Sequence, residues 1–397
     1  MLTLYPSNKL EDLVVLLNKV MQYRQTSMLS QDIILVESQG MQHWLNMQLS
    51  QMTNIAMNIV YPMPSRFIWD TARKVLGSDK IPRQSPYSRE ILTFRIEQIF
   101  HSEEWLTSAA SGLVTQYWQE HKLGIGQQQL KSFQLAQAVA DVFEQYMLYR
   151  PDWLENWQQG ELNTEQSDEI WQQQLWLILF KQSPYHPVAL QNEMLKELEH
   201  KHHLLPKDIH IFGINTMPPK TLEFFEVISN WVNIHLYHLN PCVNYWGDLQ
   251  SEKTTVKKQL KQLKLNTLEQ WLEQDNISQP LLANLGQQGK GFFSSLQKLN
   301  GFEINAFDLA KEQNETAEEN NRDVVKRSCL QQVQQDILLL TDATQANAES
   351  NQDKQTNLID DSINIVSCHN PLREIEALHD FLLAEFEANP ELTPRDV

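Results

Sequence analysis

The chain has 397 residues, 41% hydrophobic and 21% charged, a composition that supports two or three globular domains with real cores. Asp and Glu number 50 against 32 Lys and Arg, for a formal net charge of -18 and a pI near 5.1. That balance excludes a generally basic nucleic-acid coat, because phosphate contacts come from Lys and Arg, although it permits a local basic channel.

Met1-Leu2-Thr3-Leu4-Tyr5 lacks a basic segment leading into a long apolar run, so it does not read as a signal peptide. Leu2 to Tyr5 alternates and predicts a strand. Asn8 and Glu11 fit a capping box, followed by Leu10, Leu13, Val14, Leu17 and Met21 at helical spacing. Ile33–Val36 reads as a buried strand, Gly40–Gln51 as a helix with Met41, Trp44, Leu45 and Leu49 on one face, and Asn54–Tyr61 as a third strand ended by Pro62 and Pro64. A helix follows from about Ser65 with Phe67, Ile68, Trp69 and Val75. Such alternation implies a parallel α/β sheet. From about Ser88 to His203 the pattern turns almost wholly helical, clearest over Phe133–Tyr149, which Pro151 stops; this is expected to be a helical domain inserted between strands. The α/β pattern resumes with a strand at Asp208–Ile214, a helix at Leu222–Ser229 and a strand at Ile234–Leu239, and the strands on either side of the insertion are expected to share one sheet. Residues 305–361 are polar and suit a linker, with an amphipathic helix at Val324–Leu340. A strand at Ile363–Cys368 and a helix at Arg373–Phe386 open a further unit. Leu392-Thr-Pro-Arg-Asp-Val397 reads as a turn leading into a strand, so the chain is expected to be a portion of something longer.

The turn at Ser38-Gln39-Gly40 occupies the place where a nucleotide-driven motor carries G-x-x-x-x-G-K-[ST], but it has one glycine, no lysine and no hydroxyl placed for Mg²⁺. It suits a motor-like scaffold without hydrolysis. Gln39, Gln42 and His43 sit at what should be the carboxyl edge of the sheet, where ligands commonly meet parallel sheets. Arg66, Phe67 and Trp69 could form a stacking platform for unpaired bases or belong to the core. Asp141, Glu144 and Gln145 share a helix face and read first as a solvated face. Arg150 suits either a phosphate contact or a helix C-terminus. The His200–His203 run, His235 and His238 read as surface or strand histidines, and Asp168-Glu169 as a surface pair. Neither G-x-S-x-G nor HExxH occurs. Cys242, Cys329 and Cys368 are widely spaced and suggest neither a metal site nor a disulfide framework, so a reducing, cytoplasmic setting is expected. No run approaches the ~18 apolar residues of a membrane span.

Several blocks resemble one family. They are Tyr5-Pro-Ser-Asn8, Ile34-Leu-Val-Glu-Ser-Gln-Gly-Met41 with Trp44-Leu45, Pro62-Met-Pro-Ser-Arg-Phe-Ile-Trp-Asp70 and Gln145-Tyr-Met-Leu-Tyr-Arg-Pro-Asp-Trp-Leu154. Phe212-Gly-Ile-Asn-Thr-Met-Pro-Pro219, Asn240-Pro-Cys-Val-Asn-Tyr-Trp-Gly-Asp248, Cys368–Asp380 and Leu392–Asp396 continue it. The chain resembles, from end to end, the N-terminal portion of the RecC family, the gamma subunit of exodeoxyribonuclease V (RecBCD). The resemblance implies a superfamily 1 helicase-like fold that has lost ATP hydrolysis. It divides the chain into a discontinuous helicase-like domain 1A (1–87 and 204–303), a helical insertion 1B (88–203), a polar linker with a possible helix (304–361) and the start of domain 2A (362–397). It implies a non-catalytic subunit that guides unwound strands and scans single-stranded DNA for Chi, the recombination hotspot. The expected partners are RecB, RecD and single- and double-stranded DNA, with no membrane; the partner subunits, not this chain, use ATP and Mg²⁺, and no cofactor or metal is expected here.

By position, the resemblance puts Glu37, Gln39, His43, Met63, Trp69, Asp141, Val142, Glu144, Gln145 and Arg150 at or beside the Chi-reading surface. Trp69, Asp141, Gln145 and Arg150 match the family pattern. Glu37, Gln39 and His43 stand where the enteric version has Gln, Thr and Gln; Met63 and Val142 replace leucines and Glu144 an aspartate. The octamer read should therefore differ. Two other readings stay open: an interaction scaffold, favoured by the acidic charge, and an ATPase with a divergent phosphate loop.

Overall fold

The computed structural model describes residues 1–23, 30–119, 124–164, 166–249, 279–307, 328–341, 360–394 and 396–397. The chain divides into two compact units, one of Met1–Asp248 with Leu285–Ala317 and one of Leu249–Asn284 with Glu318–Val397. Most of the expected linker, residues 308–327 and 342–359, lies outside the described residues.

In chain order the first unit runs β1 (Leu2–Ser7), α1 (Leu10–Tyr23), β2 (Asp32–Leu35), α2 (Gln39–Thr53), β3 (Ile59–Val60) and α3 (Pro64–Leu76). Seven helices follow: α4 (Arg89–Phe100), α5 (Glu103–Leu106), α6 (Ser111–Trp118), α7 (Ile125–Tyr149), α8 (Pro151–Gln158), α9 (Ser167–Gln182) and α10 (Pro187–Lys201). Then come β4 (Asp208–Phe212), α11 (Pro219–Ile228) and β5 (Asn233–Leu239); after the undescribed stretch α12 (Pro280–Leu285), which but for its last residue falls in the second unit, precedes α13 (Gln287–Leu296) and β6 (Phe302–Glu303) of the first. The strands form one six-stranded sheet in the order β3-β2-β4-β5-β1-β6, and every pairing is parallel. Ile34 of β2 pairs with His210 of β4, so strands on either side of the helical stretch share a sheet, as the interrupted α/β alternation implied.

Side chains alternate across the strands. Leu2, Leu4, Ile209, Ile211, Ile234 and Leu236 bury against α3, α10, α11 and α13, where Phe67, Met194, Phe225 and Phe292 complete one core. Tyr5, Phe212 and Tyr237 face the other way and pack with Leu13, Val14 and Leu17 of α1 and Leu45 and Leu49 of α2. The α4–α10 stretch has a separate core around Trp105, Phe143, Trp157 and Trp176, all fully buried.

Three local expectations need correction. The Asn8 capping box is not formed: Asn8 Oδ1 is buried without a partner, and Ser7 Oγ instead accepts from the Lys9 N–H at 3.3 Å. The third strand shrinks to Ile59–Val60, because Asn54 and Asn58 adopt left-handed backbone (φ 63° at each), which breaks an extended run. Ile363–Cys368 carries no ladder pairing among the described residues. A strand exists only when a neighbour satisfies its backbone groups, and no described residue of the second unit supplies one. That unit does contain α14 (Cys329–Leu339), begun by a true capping box at Ser328 and Gln331, and α15 (Pro371–Ala388), capped by Asn370.

Candidate nucleic-acid interface

The turn after β2 is short and plainly built. Ser38, in extended backbone, accepts the Met41 N–H at 3.2 Å and starts α2 at Gln39. Gly40 therefore lies inside the first helical turn. A Cβ there would meet nothing nearer than Ser38 Oγ at 3.7 Å, so neither space nor backbone geometry demands glycine. A phosphate-cradling glycine loop does not exist at this place. The demanding glycine is Gly213, after β4: its φ is +63° and an added Cβ would lie 3.1 Å from Met41 Cε. Glu37, Gln39 and His43 are exposed around the turn, and Met63, just before α3, is 49% exposed.

Trp69 is on α3 and buried. Its indole Nε1 donates to Pro82 O at 3.0 Å, and the ring belongs to the sheet core. It is thus a core residue with one wall on a cavity rather than an open platform. Phe67 is core outright, against Phe225 at 6.3 Å. On α7, Val142 and Gln145 are exposed. Asp141 is gripped by both Nε and Nη2 of Arg89, the latter at 2.9 Å. Glu144, one turn on, is half-buried; burial raises its carboxyl above the usual range, Arg89 opposes that, and Asp141 and Glu90 add to it. Arg150 closes α7, its N–H bonded to Tyr146 O at 2.8 Å and its exposed guanidinium 5.6 Å from the Trp153 ring centre. Both sequence readings of Arg150 are compatible with this: it caps a helix and leaves its charge in solvent.

Trp69 and Glu144 meet at one cavity of about 600 Å³, lying where α3, α4, α7, α10 and α11 converge. Arg66, Gln191 and Lys220 also line it. Gln191 is 8% exposed and donates to Lys220 O at 2.8 Å. Neither Gln191, Lys220 nor Arg89 carries a local sequence signal; only the packing of α4, α10 and α11 brings them beside the named residues.

Other polar groups are structural. Glu169 corrects the surface reading: it is 5% exposed and accepts from Trp157 Nε1, Asn163 N and Nδ2, and Thr164 N and Oγ1, at 2.5–3.0 Å. Burial pushes its carboxyl up, but these bonds outweigh that and hold it at about 2. His238 is 4% exposed, and burial lowers its ring to about 4. Ser132, His101 and Glu97 lie together, yet one ring nitrogen, His101 Nε2, faces both Ser132 Oγ and Glu97 Oε1 at 3.1 Å. A hydrolytic relay needs opposite ring nitrogens for base and orienting carboxylate, so the group pins α4 to α7. Among the described residues no cluster of His, Cys, Asp and Glu could hold a metal, and no helix is long and apolar enough to cross a membrane.

A family model described as RecC, N-terminal domain, matches residues 2–340. The chain belongs to the RecC family. It is 31% identical over 436 residues to the RecBCD enzyme subunit RecC of Escherichia coli (strain K12), covering all of this chain and 36% of that protein. The Haemophilus influenzae RecBCD enzyme subunit RecC is 29% identical over 456 residues, covering all of this chain and 38% of that one. The Mycolicibacterium smegmatis relative is 23% identical over 371 residues. The chain thus spans 36–38% of the length of the first two curated relatives.

Proposed function

We propose that this chain is the non-catalytic, strand-handling part of a RecBCD-type helicase and nuclease, acting in double-strand break repair. It would guide unwound DNA and read a Chi-type hotspot in the single strand, with RecB and RecD as partners and with ATP and Mg²⁺ used by those partners. The sheet would be that of a helicase-like domain that has lost its nucleotide chemistry, and the setting would be cytoplasmic. The observation that carries the reading is the convergence of Trp69 and Glu144, far apart in the sequence and both expected at the reading surface, on one cavity. The plain helix start at Ser38–Gly40 supports the absence of hydrolysis, since it carries no lysine for a phosphate and no glycine-rich loop before the helix. A scaffold with no contact to DNA would give no reason for this convergence.

The test uses the full-length subunit assembled with its partners. Arg150→Ala and Glu144→Gln are expected to reduce hotspot-dependent cutting by at least tenfold while unwinding continues, because the motors would lie in other subunits. Trp69→Phe is a better probe than Trp69→Ala, which would open the core. Exchanging Glu37, Gln39 and His43 for Gln, Thr and Gln should change the preferred octamer in a library of cut sites, because base-edge contacts set sequence choice. Cutting that ignores all these changes would remove the reading assigned to this surface, and ATP turnover by the isolated chain, abolished by changes around Gly40, would favour an ATPase.

A further inference from the structure

Arg150 differs from the other arginines of the α4–α10 stretch in what holds its side chain. Arg89 bonds Asp141, and Arg95 bonds Pro86 O at 3.0 Å and Leu179 O at 2.9 Å. Among the described residues neither a carboxylate nor a carbonyl bonds the Arg150 guanidinium, which lies over the Trp153 ring at 5.6 Å from its centre. The Arg150 backbone is fixed from both sides. The residue is at once the C-cap of α7 and the N-cap of α8, its N–H bonded to Tyr146 O at 2.8 Å and its carbonyl accepting the Trp153 N–H at 3.1 Å. Only the side-chain torsions stay free, and in a long exposed arginine they carry much rotamer entropy.

Trp153 is itself held. It is half-buried, its ring centre lies 5.5 Å from that of Tyr146, and its carbonyl accepts from Asn163 Nδ2 at 3.3 Å. The same Asn163 nitrogen bonds Glu169 Oε1 at 3.0 Å, while Asn163 Oδ1 accepts from Asn156 Nδ2 at 2.8 Å. Buried Glu169 thus clamps α8 through Asn163 at Trp153 and at Asn156, and the ring is a preset plate rather than a loose surface aromatic. A guanidinium paired with a carboxylate spends donors on that partner, whereas one lying on an aromatic face keeps its in-plane N–H groups for a ligand.

We propose that Trp153 is the positioning residue of Arg150: its ring fixes where the guanidinium stands and leaves the donors of that group turned outward. This role presupposes the strand-reading function given above, in which Arg150 meets the DNA, and it adds a residue on α8 that touches no nucleotide. Its benefit is preorganisation, since side-chain freedom lost before binding is not lost again on binding.

The experiment uses the full-length subunit assembled with its partners and reads hotspot-dependent cutting and unwinding side by side. Trp153→Met, which has no ring face, should lower hotspot-dependent cutting by roughly two- to fivefold, the range of a cation–π contact at an exposed site, and leave unwinding unchanged. On the residual response of Arg150→Ala the same substitution should have no further effect. A merely structural Trp153 would act additively there, because its packing on Tyr146 does not need the Arg150 side chain. Trp153→Tyr should keep most of the parent's response. If Trp153→Met does not assemble, Trp153→Phe, with a weaker ring face, decides by the same two measurements. A loss that adds to that of Arg150→Ala, or no loss at all, overturns the positioning role, while the strand-reading function stands on the response to Arg150→Ala alone. If Arg150→Ala leaves cutting unaltered, the part of Arg150 in strand reading falls and the positioning role with it.

Discussion

At the scale of single residues, two glycines separate chemistry from geometry. Gly40 stands where a phosphate loop would need it, yet it is an ordinary helical residue with open space around its Cα. Gly40→Ala should therefore stabilise the protein by about 0.4–1 kcal/mol, through the entropy it removes from the unfolded chain. Gly213→Ala should destabilise by more than ~1 kcal/mol, because φ of +63° is costly for alanine and Met41 stands against its Cβ. Denaturant midpoints of the two variants would check both, and a Gly40→Ala protein that loses stability would mean that the turn carries a demand the helix does not show. Trp69 gives a related lesson. Its indole is both structural and available to one cavity wall, so the size of the side chain, not its presence at a surface, decides what a substitution reports.

At the scale of elements, the junction of α8 and α9 is organised by one carboxylate. Asn163 and Thr164 fold back onto Glu169, and Trp157 of α8 donates its indole N–H to the same group at 2.7 Å. Trp157 is fully buried beside Phe143 and Tyr146 of α7, so Glu169 ties the loop to the helical core. Removing the carboxylate strands a buried indole N–H and two backbone N–H groups. Glu169→Ala should cost roughly 1–3 kcal/mol or more per the usual penalty for buried unsatisfied donors, whereas Asp168→Ala should fall within about 0.5 kcal/mol of the parent. Thermal unfolding of the pair checks this, and equal effects from the two would show that the buried network contributes nothing. In the second unit, α15 leaves Leu372, Ile375, Leu378 and Phe381 exposed, and Ile363–Cys368 before it has no strand beside it among the described residues. Its pattern is that of a βα unit; its packing among the described residues is not.

At the scale of the whole molecule, β1 is the element on which the sheet depends. The first residues of the chain pair with residues 234–239 on one side and with β6 on the other, so the sheet closes only after the helical stretch has been traversed. Such long-range parallel pairing is slow to form. Acid should act on the whole fold through buried groups. His186 and His238 are held neutral by burial, with ring values lowered from 6.5 to about 4. As pH falls from 6.5 to 4 the unfolded chain takes up protons that the folded one refuses, and stability declines. Glu169, lowered from 4.5 to about 2, adds stability that is complete above 4.5 and lost as pH falls towards 2. Stability should thus fall continuously below pH 6.5, with His238→Gln removing part of the slope between 6.5 and 4. A denaturation series across pH in which that variant keeps the parent's slope would show that His238 does not couple folding to protons.

Local rules carried much of this protein. Period-two and period-3.6 patterns of apolar residues placed β1, β2, β4, β5 and most helices, since a strand or helix with one buried face must repeat its apolar residues at that spacing. The missing lysine at Ser38–Gly40 was legible for the same reason: the chemistry of a phosphate loop is local. The family blocks, read residue by residue, named the residues proposed to read the strand. What local pattern could not decide was which polar groups end up inside. Glu169 and Asp168 are neighbours with the same chemistry, and only the fold of residues 163–164 buries one of them. Asn8 fits a capping rule that Ser7 partly takes over once β1 is fixed in the sheet. The cavity is further still from the sequence, because Trp69, Glu144, Gln191 and Lys220 lie on four helices whose meeting is set by two separate cores. A pocket is a property of packing between elements, and no spacing along one element encodes it.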